Sequence, residues 1–379
     1  MRIALVAGEP SGDYLGAGLI QALSRRHQSA RFEGVGGPHM RAAGLSALWP
    51  MDALSVMGIG EVLSHLPRLL TIRRALRQRW LDDPPDLFIG VDSPDFNLPL
   101  AKRLKRAGVP TMQYVSPTVW AWRSGRVTGL KQAVDCVLCI LPFEPQFLAE
   151  HGIDGRFVGH PLADDIPLHI DRSSERARFG VSDEQKLIAL LPGSRTSEIK
   201  RLMPLYVDVA KRLQGFDPSC RFVLPAATPK LEDAIKRMTE HATSPPIQVV
   251  AGQAREALAG ADAALVASGT ATLEAMLLRA PMTMAYRVNP VTALVVRWSL
   301  KTRYFALPNI LAGQALIPEF VQGAARAEPI ATALMDMLTD VEARATLARR
   351  FAKIHASLQC DAAERAADVA TERLVAAKP

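Results

Sequence analysis

The feature that most constrains this chain is an alternation of short, continuously apolar segments with helical ones, in two successive series. The first series predicts strands at Arg2–Ala7, Arg31–Val35, Leu87–Asp92, Thr111–Ser116, Cys136–Leu141 and Arg156–Val158. The second predicts strands at Leu187–Leu191, Arg221–Leu224, Ile247–Val250, Ala263–Ala267 and Met282–Tyr286. Continuous apolar strands separated by helices are typical of parallel sheets covered on both faces. The sequence therefore predicts an α/β protein with two Rossmann-like domains facing across a cleft.

The boundary between the two series is a polar stretch rich in Pro, Asp and Ser at residues 161–183. A chain of 379 residues is long enough for two domains that each bury a core. We predict an N-terminal domain over residues 1–170, a C-terminal domain over 171–340 and a helical tail over 341–379. The tail is expected to pack back on the N-terminal domain or to reach a partner subunit, and the second arrangement would form a homodimer.

Charge and hydropathy restrict the partners and the location. The net charge of +7 suits anionic partners. Lys and Arg are not concentrated in a patch studded with aromatic residues, which argues against nucleic acid. No stretch approaches the roughly 20 apolar residues of a spanning helix, and the first apolar run is too short for a signal peptide. We therefore expect a cytoplasmic protein that can still contact a membrane surface.

The residue types that would indicate a metal or a cofactor are missing or badly placed. Cys136 and Cys139 have the spacing of a metal or redox pair, but they lie in an apolar run. A strand would place their side chains on opposite faces, which favours a core role. The chain has no P-loop, no H-E-x-x-H and no two aspartates at D-x-D spacing. The sequence predicts neither a metal nor a cofactor.

Ligands of open parallel sheets bind beyond the carboxyl ends of the strands, so the loops that follow strands are the candidate sites. The loop after the first strand contains Glu9, Ser11, Gly12 and Asp13 at the start of a helix. Gly12 permits close approach of a ligand, and the helix offers free N–H groups. The alternative is that Ser11 and Asp13 only cap this helix.

Asp92 ends the apolar run that begins at Leu87. A carboxylate at the carboxyl tip of a central strand is placed where a general base should lie. The alternative is that Asp92 is a buried hydrogen-bond acceptor. For Asp95, three residues further on, we expect a helix cap.

The second series opens with Gly193, Ser194 and Arg195, followed by Glu198 inside the next helix. Gly and Ser at a helix N-terminus can hold a phosphate, and Arg can form a forked contact with it. An Arg at the positive end of a helix is unfavourable unless an anion is present, so ligand binding is favoured. The alternative is a capping box closed by Glu198.

Two later loops resemble the first. Ser268, Gly269 and Thr270 also precede a helix and suit a diphosphate, while Glu274 could accept hydrogen bonds from a ribose. The alternative is a well-capped helix. Asn309 and Gln314 are amides in an otherwise apolar turn, which makes them candidate ligand contacts.

The ordered set of motifs resembles the bacterial lipid A disaccharide synthase family over almost the whole chain. The motifs are AGEPSGD, SVMGIGEVL, VDSPDFN, YVSPTVWAWR, LPFE, FVGHPLAD, LPGSR, SGTATLE and LPNILAG. The resemblance implies an inverting, metal-independent glycosyltransferase of the GT-B type. It implies UDP-2,3-diacylglucosamine as the donor, 2,3-diacylglucosamine 1-phosphate as the acceptor, and a β-1,6-linked disaccharide and UDP as the products.

The same resemblance implies roles for single residues. Asp92 matches the catalytic carboxylate, Arg195 a nucleotide contact and Asn309 a further site residue. With these roles, the second-domain candidates bind the nucleotide, and the loop from Glu9 to Asp13 is expected to bind the acceptor.

Acylated substrates draw attention to residues 55–81, where apolar and basic residues are interleaved. An apolar stripe beside a basic face suits a membrane interface. We expect the protein to bind the inner face of the inner membrane. The candidate membrane contacts are Met57, Leu66, Leu69, Leu70, Arg73 and Arg77. The alternative is an ordinary covering helix with a solvated Arg face.

Two other functions stay open for the whole protein: a UDP-sugar epimerase on the same scaffold, and a basic peripheral scaffold without catalysis.

Overall fold

The computed structural model describes residues 1–54, 59–120, 125–239, 245–289 and 302–376, without the side chains of 59–65 and 125–126. The chain divides into two compact units. The first unit contains Met1–Asp164 and Leu358–Pro379, and the second contains Asp165–Ser357.

The first unit is built on a parallel sheet. Its strands are β1 (Arg2–Ala7), β2 (Arg31–Gly36), β3 (Leu45–Pro50), β4 (Leu87–Val91), β5 (Thr111–Tyr114), β6 (Cys136–Cys139) and β7 (Gly155–Phe157). They lie in the order β3-β2-β1-β4-β5-β6-β7. The order reverses between β1 and β4, so this is the point where a ligand crevice is expected.

Helices cover both faces of this sheet. They are α1 (Pro10–Arg26), α2 (Pro38–Ala42), α3 (Ile59–Asp82), α4 (Pro94–Arg106), α5 (Gly125–Ala133), α6 (Glu144–Ala149) and α7 (Pro161–Asp165). Successive residues of β1 enter different cores, with Ile3 in one and Ala4 in the other. Cys136 and Cys139 are likewise buried in opposite cores, which confirms their predicted core role.

The second unit repeats the architecture. Its strands are β8 (Lys186–Leu191), β9 (Cys220–Ala226), β10 (Ile247–Ala251), β11 (Ala263–Val266), β12 (Met282–Tyr286) and β13 (Glu319–Val321). They are parallel and lie in the order β10-β9-β8-β11-β12-β13. The order reverses between β8 and β11.

The helices of the second half follow the same alternation. They are α8 (Arg172–Arg178), α9 (Thr196–Phe216), α10 (Pro229–Thr239), α11 (Ala254–Gly260), α12 (Thr270–Leu277), α13 (Leu307–Ala312), α14 (Ala327–Thr339), α15 (Val341–Leu358) and α16 (Ala362–Ala376). Among the described residues, none of these or the earlier helices has the length and hydropathy needed to span a bilayer.

The segment predicted as one tail divides between the two units. Residues 341–357 of α15 belong to the second unit, whereas α16 belongs to the first. The carboxylate of Asp164 accepts hydrogen bonds from the backbone N–H groups of Cys360 and Ala362, at 2.9 and 2.7 Å. Because Ala366 and Ala370 of α16 lie in the same core as α1, the first unit is completed by a distant part of the chain.

Each predicted strand is present, and two further strands were not predicted. Both of these, β3 and β13, lie at sheet edges. β3 carries a proline and exposed positions, and β13 is only three residues long, so neither has the continuous apolar pattern of a central strand.

Candidate active site

Asp92 lies directly after β4, beside the end of β1, in the first unit's crevice. Its backbone N–H donates to the carbonyl of Tyr114 at 2.9 Å. Its own carbonyl accepts hydrogen bonds from the side-chain amides of Asn97 and Gln113, at 2.8 and 2.9 Å. These contacts hold Asp92 at φ 51°, a left-handed conformation that non-glycine residues rarely adopt. Such a held conformation is common at functional sites.

The loop after β1 contacts Asp92, as expected if both loops serve one site. The hydroxyl of Ser11 donates a hydrogen bond to the Asp92 carboxylate. A side chain at Gly12 would lie 3.3 Å from the carbonyl of Val91, and one at Gly8 would lie 2.7 Å from the Ser93 hydroxyl. Close approach of the two loops therefore depends on glycine. Glu9 and Ser11 are exposed, and Gly12 is buried.

Burial raises the pKa of Asp92 above the ordinary range of an aspartate. The Ser11 hydroxyl and the N–H of Ser93 oppose this shift because they stabilise the charged form. The result is a carboxylate that binds a proton more strongly than a solvated aspartate. That property suits a proton acceptor.

Asp13 is placed differently from its neighbours. It is buried, and its carboxylate accepts hydrogen bonds from the N–H groups of Gly37, His39 and Met40 at 2.7–3.0 Å. It therefore fixes the start of α2. The N-cap of α1 is Glu9, without a side-chain hydrogen bond, so the alternative that Ser11 or Asp13 caps α1 is wrong.

The capping prediction for Asp95 is also wrong. The N-cap of α4 is Ser93, and its side chain makes no capping hydrogen bond. Asp95 lies in the first turn of α4, exposed to solvent. The reason is that α4 begins at Pro94, which is well suited to the first helical position.

The second unit contains a pocket of about 400 Å³ at its own crevice between β8 and β11. This volume is within the range of small-molecule sites. Every lining residue lies at the carboxyl end of a strand, in the loop that follows it or in the first turns of the next helix. The lining residues are Leu191, Gly193, Ser194, Arg195, Glu198, Pro225, Ala226, Ala227, Gly252, Ala254, Ala267, Ser268, Gly269, Thr270, Ala271 and Glu274. The structure thus brings seven of the nine predicted nucleotide contacts together.

Glu198 organises the first wall of this pocket. Its carboxylate accepts hydrogen bonds from the N–H groups of Ser194 and Arg195, both at 3.3 Å, which is one half of a capping box. It also holds the Arg195 guanidinium at 3.3 Å. A side chain at Gly193, where φ is 115°, would lie 2.5 Å from Glu198. The capping role is confirmed, and it leaves the Arg195 side chain 70% exposed at the pocket.

The start of α12 forms the second wall. Gly269 is its N-cap at φ 106° and ψ −155°, a conformation essentially restricted to glycine. The Thr272 hydroxyl donates to the Gly269 carbonyl at 2.8 Å and accepts from the N–H of Leu307. Thr270 remains exposed at the helix start. Glu274 is paired with Arg255 at 3.4 Å, a contact that the sequence did not indicate.

Asn309 and Gln314 do not line the pocket. Asn309 is buried, and its amide nitrogen donates to the carbonyl of Ile317 and to Glu319 at 2.9 and 2.8 Å. Its amide oxygen accepts from the N–H groups of Leu316 and Ile317. The side chain therefore has no hydrogen-bonding capacity left for a ligand, and we reassign it to holding this loop. Gln314 is exposed.

We expect Asn309→Ala to destabilise the protein by about 3 kcal/mol, because it leaves buried polar partners unpaired. The matched change Gln314→Ala, on the same loop but exposed, should alter stability by less than about 0.5 kcal/mol. Urea unfolding measures both. If Asn309→Ala leaves the urea midpoint of unfolding unchanged but weakens UDP binding, Asn309 contacts the ligand as first predicted.

Sequence reasoning also missed residues that shape the sites. Asn97 and Gln113 position Asp92 through its backbone carbonyl. Asn97 ends the motif VDSPDFN, but Gln113 belongs to none of the quoted motifs, and nothing in the sequence shows that the two side chains meet at Asp92. Gly252 and Ala254 line the pocket of the second unit. Their position after β10 was the available signal.

The proposed membrane segment divides into core and surface positions. Ile72, Leu76 and Trp80 of α3 are buried in the core. Leu66 is 43% exposed, and Leu69 packs against the core. Leu70, Arg73 and Arg77 are half-buried and line a small groove. Met57 lies outside the described residues. Within those residues there is no group of three or more potential metal ligands.

Comparison with known proteins gives the class and then the family. Over 98% of this chain, a putative UDP-N-acetylglucosamine 2-epimerase from Listeria monocytogenes has a TM-score of 0.64 at 10% identity, covering 95% of that chain. The glycotransferase of kitacinnamycin has a TM-score of 0.61 at 18% identity, covering 98% of both chains. These likenesses show the fold, which is the GT-B type predicted from the sequence.

The sequence comparisons are more specific. A family model described as lipid-A-disaccharide synthetase matches residues 3–370. The lipid-A-disaccharide synthase of Pseudomonas paraeruginosa is 48% identical over 368 residues, covering 97% of each chain. The protein is a glycosyltransferase with a GT-B fold. The chain belongs to the lipid-A-disaccharide synthase family.

Proposed function

We propose that the protein transfers 2,3-diacylglucosamine from UDP-2,3-diacylglucosamine to 2,3-diacylglucosamine 1-phosphate. The products are a β-1,6-linked disaccharide and UDP. The pocket beside Arg195, walled by the starts of two helices, is the structural observation that carries the proposal. Two helix N-termini and a guanidinium are a strong combination for a diphosphate.

The second unit is assigned to the donor. Gly193, Ser194 and Gly269 let the diphosphate approach the helix starts, while Arg195 pairs with it. As UDP leaves with the electrons of the bond to the anomeric carbon, these groups stabilise its growing negative charge. Glu274, held by Arg255, accepts hydrogen bonds from the ribose hydroxyls. No step in this assignment requires a metal.

The first unit is assigned to the acceptor. Asp92 takes the proton of the attacking hydroxyl as that oxygen forms its bond to the anomeric carbon, and one displacement inverts the configuration. Glu9, Ser11 and Gly12 contact the acceptor sugar, and Asp13 joins their loop to the start of α2. Asn309 acts on the donor side only through loop structure, and the exposed Gln314 on the same loop is assigned as a donor contact.

The acylated substrates place the enzyme at a membrane surface. We assign this contact to the exposed Leu66 and the half-buried Leu70, Arg73 and Arg77 of α3, together with Leu69 and Met57. The location is the inner face of the inner membrane. The homodimer predicted from the tail is tested by sedimentation of the purified protein.

The test is incubation with both substrates, followed by mass spectrometry of the products. We expect a disaccharide phosphate and an equal amount of UDP, only when both substrates are present. A UDP-sugar epimerase would convert the donor without an acceptor. Conversion of the donor alone, without disaccharide, would therefore overturn the proposal in favour of that activity.

We expect Ser11→Ala to move the acid limb of the pH profile of kcat/KM to higher pH. The base must be ionised, so activity rises with pH through the pKa of Asp92. Loss of a hydrogen bond to the charged form raises that pKa further. Ser24→Ala, on the same helix but bonded to the Ile20 carbonyl, is the control. If the acid limb of the pH profile does not move in Ser11→Ala, the Ser11 hydroxyl does not influence the pKa of the catalytic base.

A further inference from the structure

A groove between α3 and α4 in the first unit is lined by four arginines. Arg73, Arg74 and Arg77 occupy one face of α3, and Arg103 faces them from α4. Arg77 lies four residues after Arg73 and three after Arg74, and residues at these spacings are neighbours on a helix surface. The groove has a volume of about 250 Å³, and no acidic side chain lines it.

Two other arginines near α3 are neutralised by carboxylates, whereas the four groove arginines are not. Arg79, further along α3, forms an ion pair with Glu33, and Arg2 pairs with Asp83. Among the described residues, none of the four groove arginines forms an ion pair with a carboxylate. Arg73 makes only a long hydrogen bond, 3.4 Å, to the carbonyl of Asp95. Burial and the charge of Arg74 lower the pKa of Arg73, so the cluster is electrostatically unfavourable by itself.

Apolar groups share the groove. Leu70, Pro99 and Leu100 line it together with the arginines. Guanidinium groups bind phosphate oxygens through forked hydrogen bonds, and the hydrocarbon part of a lipid can pack against the leucine side chains. A free inorganic anion would use only the first property, whereas the phosphate of a lipid would use both.

We propose that this groove binds the phosphate of an anionic lipid, at a site separate from the pocket for UDP. The proposal goes beyond transfer itself. It adds to the proposed membrane contact a defined phosphate site on α3 and α4. The lipid phosphate has two sources: the bilayer headgroups or the acceptor itself.

The test compares two double variants that remove the same charge. Arg74→Gln/Arg103→Gln removes one exposed groove arginine from each helix. Arg31→Gln/Arg106→Gln removes two exposed arginines of the same unit that do not line the groove. Binding is measured by sedimentation with phosphatidylcholine vesicles that contain or lack phosphatidylglycerol. The KM for the acceptor is measured in neutral detergent. Circular dichroism melting confirms folding.

If bilayer phosphates occupy the groove, the groove variant should bind phosphatidylglycerol vesicles about twenty-five-fold more weakly, since each of the two basic residues contributes roughly fivefold. Its KM in neutral detergent should then match the control. If the acceptor phosphate occupies the groove, that KM should rise. Equal losses for both double variants in both assays would overturn the site. Vesicle binding does not need catalysis, so failure of the proposed reaction would be seen separately.

Discussion

Asp92→Asn is expected to lower kcat by about a thousandfold while leaving the fold intact. Positioned proton transfer typically contributes between a hundredfold and ten-thousandfold. Asparagine is the sharpest replacement because it tolerates the left-handed conformation of Asp92 and cannot take a proton at neutral pH. The backbone carbonyl of residue 92 can still accept hydrogen bonds from the side-chain amides of Asn97 and Gln113, so the loop should keep its shape.

Stability should change in the opposite direction from activity. Burial raises the folded-state pKa of Asp92, so ionisation disfavours the folded state as pH rises above the unfolded-state pKa. The neutral asparagine removes that cost, and the Tm at pH 7 should be equal or higher. Asp95→Asn is the control, since Asp95 is exposed three residues away. Near-normal turnover of Asp92→Asn would rule out Asp92 as the base.

Arg195→Gln is expected to lower kcat/KM for the donor by about a hundredfold, as loss of one charge-stabilising donor does in other enzymes. UDP binding should weaken by tenfold or more, because a hydrogen bond to a charged group contributes about 1.5–3 kcal/mol. Calorimetric titration with UDP measures this directly. The Arg195–Glu198 pair is exposed on the arginine side, so its loss should hardly affect stability.

Arg212→Gln is the matched control for this experiment. Arg212 is exposed on α9, the helix that Arg195 precedes, and it does not line the pocket. The control should bind UDP normally. Retained UDP affinity in Arg195→Gln would move the diphosphate away from this pocket and remove the basis of the donor assignment.

The sequence predicted the central strands well because these are buried on both faces. A strand such as β4, with every residue buried, must be continuously apolar, and its end is marked by the first polar residue, Asp92. The same rule located the loops at Gly193 and Gly269, since both follow such strands. Strand ends therefore gave most of the candidate pocket without any knowledge of the sheet order.

Side-chain partners were predicted less well because they depend on residues brought together by folding. Asp13 looked like a ligand contact, but its partners begin at Gly37, in a different loop. Asn309 was predicted to contact a ligand because it is an amide in an apolar turn. The chain returns to it at Ile317 and Glu319, which satisfy the hydrogen-bonding groups of its side chain. A polar residue beside a site can equally be a ligand contact or a structural residue, and only its partners decide.

The discontinuity of the first unit has a consequence for how the protein is made. Helix α16 covers α1, and the Asp164 carboxylate fixes its first turn, but α16 is translated after the whole second unit. Domains generally fold as units during synthesis. On the ribosome, the second unit can therefore fold while the apolar side of α1 is still exposed to solvent, because α16 has not yet been synthesised. A pause or a stop codon before residue 362 would leave that surface open to aggregation or to chaperones.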